Sequence, residues 1–246
     1  MNDDLSPGHA HVWLVKPETA ANARLARGYE RIISADERAQ RERLRSPEHR
    51  HDFLVTRALV RTTLSRYETV SPETWRFASN AHGRPELAGP DANTGLKFNV
   101  SHTRGLIACI VARHHDVGVD VEWTGREGRL LELSDRYFSA DEAKRLRDLP
   151  QDAQRDRFFQ YWTLKESFIK AVGVGVAFGL SRFSFDLDQD PIRVAFEAGV
   201  SEDPACWQFT QHRPTFEHLL ATSVRREPGQ SASVLIRETV PLVDGS

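Results

Sequence analysis

Phe158-Phe159-Gln160-Tyr161-Trp162-Thr163-Leu164-Lys165-Glu166-Ser167-Phe168-Ile169-Lys170 has the spacing of a helix. Trp162, Glu166 and Lys170 recur every fourth residue and so share one face. Phe158, Tyr161, Phe168 and Val172 mark a second, apolar face. A Glu-Lys pair at this spacing often does no more than steady a surface helix, by about 0.3 kcal/mol. Trp162 on the same face argues against simple solvation. An anchored helix that presents a carboxylate beside an ammonium suits a metal-phosphate substrate, because the anion holds a cation and the ammonium neutralises phosphate oxygens. The pattern predicts a helix from about Gln154 to Val172, closed by Gly173-Val174-Gly175.

Upstream, Val117-Gly118-Val119-Asp120-Val121-Glu122 alternates as a strand, valines to a core and Gly118, Asp120 and Glu122 to the other face. Two residues along a strand span roughly 6.6 Å, so both carboxylates can approach one cation. Their hard oxygens suit magnesium, which keeps waters and binds substrate phosphates. Taken alone, the pair reads more simply as the charged face of an edge strand.

Other elements follow from the same kind of signal. His11 to Val15 reads as a first strand. Ser34-Ala35-Asp36-Glu37 is a capping box opening a basic helix through Arg45. Ser46-Pro47-Glu48 opens a second helix to about Tyr67, with Phe53, Leu54, Ala58, Leu59 and Leu64 as core candidates. Gly105 to Ala112 and Val117 to Glu122 read as a hairpin around Arg113-His114-His115-Asp116. A helical stretch covers Leu130 to Leu149 with a cap at Ser139, and later strands are expected at Phe183–Leu187, Ile192–Phe196, Trp207–Thr210 and His218–Val224. No exact repeat stands out, but each half has one long helix and several strands. The reading is two similar α/β lobes, residues 1–114 and 115–228, followed by a loose polar tail over 229–246.

The 246 residues, 39% hydrophobic and 28% charged, suit a globular protein with a substantial core. A net charge of −2 excludes a general polyanion binder. Seven arginines against three acids between Arg38 and Arg61 raise nucleic-acid binding, but few aromatics interleave, and a local polyphosphate pocket fits better than a duplex-binding face. Cys109 and Cys206 permit at most one bridge and no thiolate cluster. Residues 1–7 lack the basic start and apolar run of a signal peptide, and no segment is long enough to cross a bilayer, so the cytoplasm is expected. Two further blocks carry polar chemistry: the turn Gly83-Arg84-Pro85, whose guanidinium suits phosphate, and the strand end Asn99-Val100-Ser101-His102. Each alone reads more simply as an ordinary loop or turn.

In order and spacing, Gly83-Arg84-Pro85, Phe98-Asn99-Val100-Ser101-His102, Val117 to Glu122 and Trp162 to Lys170 resemble the 4′-phosphopantetheinyl transferases, in particular the larger two-lobed type that activates peptide and polyketide synthetases. The resemblance spans about Asp36 to Phe185 and includes the arginine-bearing helix over Phe53 to Arg61. It implies an α+β fold of two α/β lobes related by pseudo-two-fold symmetry, with the site at their junction, in a monomer. It implies magnesium on Asp120, Glu122 and Glu166, and the pyrophosphate of coenzyme A on Lys170. It places Arg84, Ser101 and His102 at the nucleotide end, His102 on the 3′-phosphate, assisted by Arg57 or Arg41. Lys165 either touches phosphate or supports the helix. Some relatives carry lysine at the Arg84 position and further lysines where this chain has Glu37 and Gln40.

The implied reaction moves the 4′-phosphopantetheine arm from coenzyme A to a serine of an apo acyl or peptidyl carrier protein and releases 3′,5′-adenosine bisphosphate. Glu166 takes the serine proton, directly or through a water on the metal. Leu130, Leu131, Leu133, Tyr137 and Phe138, amid Arg126, Arg129 and Arg136, read either as a docking patch for the carrier or as core. Two other classes compete: a non-catalytic coenzyme A or nucleotide-binding regulator, and a metal-dependent phosphodiesterase on the same three acids. No partner of nucleic-acid or membrane type is expected.

Overall fold

A computed structural model of the chain describes residues 5, 6 and 8–243; the leader reading of residues 1–7 falls largely outside them. Eleven strands and six α-helices are formed among the described residues. In order they are β1 (His9–Val15), α1 (Ala23–Ile32), α2 (Ala35–Glu42), α3 (Pro47–Leu64), β2 (Phe77–Ser79), β3 (Pro85–Leu87), β4 (Leu96–Thr103), β5 (Leu106–Arg113), β6 (Val117–Trp123), α4 (Leu130–Tyr137), α5 (Ala140–Asp148), α6 (Gln151–Val172), β7 (Phe183–Asp186), β8 (Arg193–Phe196), β9 (Trp207–Thr215), β10 (His218–Arg225) and β11 (Ser233–Glu238). The architecture is mixed α+β. No helix among the described residues is long and apolar enough to cross a membrane.

The chain divides into two compact units, one of residues 1–79, 85–114 and 233–246, the other of 80–84 and 115–232. In the first unit the sheet runs β11-β1-β5-β4, and β2-β3 form a separate ribbon. Helix α3 covers it, started by the Ser46 side chain and Pro47. Leu54, Ala58, Leu59 and Leu64 are buried there together with Trp13, Val15 and Cys109. Phe53, expected in that core, is only half-buried, with the Arg57 guanidinium 4.9 Å from its ring centre.

In the second unit the sheet runs β6-β10-β9, with the β7-β8 ribbon beside it. Helix α6 starts after Pro150 and ends at Gly173, whose φ of 79° is the left-handed conformation that stops a helix cheaply only at glycine. Its aromatic faces pack with Phe138, Phe183, Phe185 and Trp207. Four of the residues read as a docking patch, Leu130, Leu131, Leu133 and Tyr137, are partly buried against this core, and Phe138 is 3% exposed within it. The core reading holds for Phe138; the other four form the partly exposed edge of that core.

Each unit, taken by itself, follows one order: a strand, three helices, a two-stranded ribbon and two further strands, of which the second pairs with the first strand of the unit; the first unit adds β11 at its sheet edge. The sequence carries a matching signature. Ser34-Ala35-Asp36-Glu37 and Ser139-Ala140-Asp141-Glu142 are identical, and both form complete capping boxes. This is an exact short repeat, contrary to the expectation of none.

Two further expectations are corrected. β5 and β6 do not form a hairpin: β5 pairs with β4 and β1, and β6 pairs with β10. The tight turn lies one connection earlier, at Arg104-Gly105, where Gly105 takes a φ of 78° between β4 and β5. Nor are residues 229–243 a loose tail; the last three residues of that reading lie outside the described ones. Ser233 to Glu238 pair in parallel with β1 as β11, and Val240 and Leu242 pack on the first core.

Candidate active site

The site is built where α6 crosses β6. A Cβ on Gly118 would lie 2.0 Å from the Ser167 carbonyl oxygen and 2.6 Å from the Ala171 nitrogen. Only a glycine in the strand lets the helix backbone come so near. Ser167 is fully buried and shares a hydroxyl hydrogen bond of 2.8 Å with Ser223 of β10, which holds the crossing from the other strand. Glu166 and Lys170, one turn apart on α6, thereby face Asp120 and Glu122.

Lys170 Nζ donates to Asp120 Oδ1 at 2.6 Å and to the Val119 carbonyl at 3.4 Å. Trp162 Nε1 donates to Glu122 Oε1 at 3.0 Å, and Arg126 approaches the same oxygen at 3.8 Å. Asp120 is 4% exposed, and Glu122 and Glu166 are half-buried. Burial is the largest cause that pushes the Glu166 carboxyl up, to about 7; the charge of Asp120 adds to it, Lys170 opposes it, and Glu122 adds again. Burial and then Asp120 push Glu122 up as well, against Arg126, the Trp162 hydrogen bond and Lys170. Two carboxyls, Glu166 and Glu122, both raised by burial and by the charge of Asp120, are a cation-seeking arrangement. Among the described residues no group of three or more His, Cys, Asp or Glu side chains is placed to hold a metal ion; Lys170 pairs with Asp120 and Trp162 donates to Glu122. The donors nevertheless fit a hard divalent ion: all are carboxylate oxygens, and their repulsion is what such an ion relieves.

The first unit repeats this order of elements, and the positions matched to the acids by sequence offset carry none. One constant shift along the chain carries His11 and Trp13 of β1 onto Gly118 and Asp120. Another carries Arg61, Arg66 and Tyr67 onto Lys165, Lys170 and Ala171. The contacts follow suit: His11 Nδ1 meets the Tyr67 hydroxyl at 2.9 Å, and the Arg66 guanidinium lies 4.2 Å from the centre of the Trp13 ring. Trp13, Val15 and Thr62 thus stand where the second unit has Asp120, Glu122 and Glu166. The large His11-Tyr67 pair replaces the small Gly118-Ala171 pair.

Arg84 donates from Nη1 to the Ala171 carbonyl at 2.6 Å and from Nη2 to the Val117 carbonyl at 3.4 Å. Asn80 Nδ2 donates to the Gly173 carbonyl at 3.0 Å. The turn expected to reach a phosphate therefore also caps the C-terminus of α6, where a cation is favoured by the helix dipole. Arg84→Ala is expected to lower stability by about 2 kcal/mol, the loss of charge-assisted hydrogen bonds, and to lower kcat together with stability. Thermal melts alongside initial rates check it. A variant altered only in its coenzyme A requirement would count against the capping role.

Lys165 is fully buried, and its ammonium donates to the Leu180 and Phe183 carbonyls at 2.8 and 2.6 Å and to Glu142 at 2.7 Å. It cannot touch a phosphate, so its place among the coenzyme-binding residues is withdrawn. Glu142 was not singled out from sequence; the repeated capping box was the signal available. The other nucleotide-side residues lie in the first unit. Ser101 is buried and His102 exposed on β4, and Asp52 of α3 lies within electrostatic reach of His102, His51 and His49. Arg41 pairs with Glu30 and donates to the Arg50 carbonyl at 3.1 Å. Arg57 stands 3.8 Å from Glu37, its basicity lowered by burial, and lines a cavity of about 370 Å³ with Arg61, Gln40 and Arg76.

A family model described as the 4′-phosphopantetheinyl transferase superfamily matches residues 116–223, which contain β6, α6 and all four charged groups of the crossing. The chain is 34% identical over 179 residues to the 4′-phosphopantetheinyl transferase HetI of Nostoc, an alignment covering 72% of this chain and 73% of that one. This chain belongs to the 4′-phosphopantetheinyl transferase superfamily. It is likewise 34% identical over 174 residues to the transferase Sfp of Bacillus subtilis, covering 70% of this chain and 74% of Sfp. To the human L-aminoadipate-semialdehyde dehydrogenase-phosphopantetheinyl transferase it is 29% identical over 190 residues, 72% of this chain and 62% of the relative. Phosphopantetheinyl transfer is therefore the activity class of this superfamily member, and the acid cluster lies inside the part matched by the family model.

Proposed function

We propose that this chain transfers the 4′-phosphopantetheine arm of coenzyme A to a serine of an apo acyl or peptidyl carrier protein. The observation that carries the reading is the α6-β6 crossing, where Glu166 and Lys170 face Asp120 and Glu122. Asp120, Glu122 and Glu166 would hold magnesium, which when bound supplies positive charge to the diphosphate. Lys170, now on Asp120, is the group that neutralises a phosphate oxygen once a cation satisfies that carboxylate. Glu166 is placed to take the serine proton, directly or through a water that the ion would hold. The serine Oγ–phosphorus bond forms, the phosphorus–oxygen bond to adenosine bisphosphate breaks, and the leaving phosphate carries the negative charge away. Arg84, Ser101, His102 and either Arg57 or Arg41 are assigned to the nucleotide end.

The recurrence of one plan in both units supports a two-lobed fold that arose by duplication. A chain holding both copies, only one with acids, supports a monomer with one centre. Its place of action is taken to be the cytoplasm, where coenzyme A and carriers meet.

The test is intact mass. Incubated with coenzyme A, magnesium and a panel of apo carriers, the protein is expected to add one 4′-phosphopantetheine to a carrier. Coenzyme A that binds unchanged, or is hydrolysed without any carrier gaining mass, would replace this reading by a regulator or a phosphodiesterase.

A further inference from the structure

We propose that Glu142 and Lys165 are positioning residues of the transfer reaction: their buried pair sets the roll of α6 about its axis, and so the place of the Glu166 carboxylate over Asp120 and Glu122. The proposal rests on the transferase reading and specifies how its base is aimed.

Apolar packing does not settle that roll. Phe158, Tyr161, Leu164, Phe168 and Ile169 bury α6 on several sides at once, and dispersion and burial are non-directional. Lys165 supplies direction. Its three donors meet three fixed acceptors, the carbonyls of Leu180 and Phe183 and the carboxylate of Glu142. Glu142 is itself immobilised: Oε2 accepts from the Ser139 backbone and hydroxyl, both at 3.0 Å, and Oε1 accepts from the Phe185 N–H at 2.9 Å. One carboxylate thus joins the start of α5, the ribbon strand β7 and the middle of α6. Apolar replacement of both members of a buried pair often leaves stability unchanged. What the pair adds is a defined geometry.

The lever is short. Lys165 and Glu166 are neighbours on the helix, so a roll that moves one moves the other. Side-chain ends lie about 6 Å from the axis, so a roll of about 20° displaces the Glu166 oxygens by about 2 Å. Ligand distances to a magnesium-like ion vary by only a few tenths of an ångström. The first unit has the same lock, Glu37 Oε2 to Arg61 Nη2 at 2.7 Å. There the residue after the cation is Thr62, so no acid is aimed. Only in the second unit does the lock act on a carboxylate.

The test is the neutral pair Glu142→Gln/Lys165→Met in the full chain. It is read by thermal melting, by Mn²⁺ binding in the presence of coenzyme A followed by electron paramagnetic resonance, and by transfer kinetics. The expected result is a cooperatively folded protein whose Mn²⁺ dissociation constant rises about tenfold. Its kcat should fall about a hundredfold, as for a misplacement of about 1 Å, with KM for the carrier little changed. A folded variant with parental Mn²⁺ affinity and kcat overturns the proposal. Should the pair fail to fold, Glu142→Asp keeps the charge and withdraws the carboxylate by one methylene; weakened Mn²⁺ binding supports the lock, and parental binding refutes it. A parent protein that modifies no carrier would sink the transferase reading instead, which separates the two failures.

Discussion

Glu166→Gln is expected to remove transfer to carrier protein by at least about a thousandfold, the scale of losing a charge aimed at the reacting centre, while the protein stays folded. The substitution keeps the shape of the side chain and removes one of the three charges. It also removes the group able to take the serine proton. The same change has a second, metal-free signature. Glu166 titrates near 7 in the folded chain because burial and Asp120 disfavour its charge, whereas an unfolded glutamate titrates near 4.5. Below pH 4.5 both states hold the proton and the group contributes no difference. As pH rises toward 7 the folded state still binds a proton that the unfolded state has released, so stability falls through that window and remains lowered above it. Allowing for partial exposure, the loss at pH 8 is on the order of 1–3 kcal/mol. Glu166→Gln should therefore melt above the parent at pH 8 and together with it near pH 4.5, both in chelator. Retained transfer would dismiss the catalytic assignment, and parallel melting curves at the two pH values would dismiss the crowding of acids.

Much of this arrangement is legible in the chain. The alternation of Val117 to Glu122 gives the two strand acids a common face, and the four-residue spacing of Trp162, Glu166 and Lys170 gives the helix its polar edge. Those two readings require only the periods of a strand and a helix. Depth is less legible. A helical wheel places Lys165 about 100° from Glu166 but cannot say that it ends against two carbonyls and a glutamate, since those partners come from α5, the segment before β7 and the first residue of β7. Long-range pairing is also hidden. Ser233 to Glu238 holds only a three-residue apolar run, Val234-Leu235-Ile236, between polar ends, and its parallel partner, β1, lies at the other end of the chain. The supposed hairpin failed for a local reason: Arg113 to Asp116 carries turn-forming residues, but the two-residue turn that joins paired strands was Arg104-Gly105.

The comparison of the two units turns Gly118 into the second large prediction. In β1 the equivalent position is His11, which meets Tyr67 with room for both rings. In β6 it is Gly118, and the helix opposite offers Ala171 and the backbone of Ser167. The backbone at Gly118 is ordinary strand, so the glycine is there for space and not for a left-handed φ. Gly118→Ala would place a methyl 2.0 Å from a backbone oxygen, a contact that no rotamer can relieve, so α6 must move away from β6. Overpacking of this kind costs about 1–3 kcal/mol, and a helix shift of about 1 Å carries Glu166 and Lys170 off Asp120 and Glu122, for a loss near a hundredfold in kcat. The expected result is a lowered melting temperature together with that loss, under saturating coenzyme A and magnesium. Were the alanine variant to melt and turn over like the parent, the close approach of helix to strand would not be what aims the acids, and the small pair Gly118-Ala171 would have no part in distinguishing the second unit from the first.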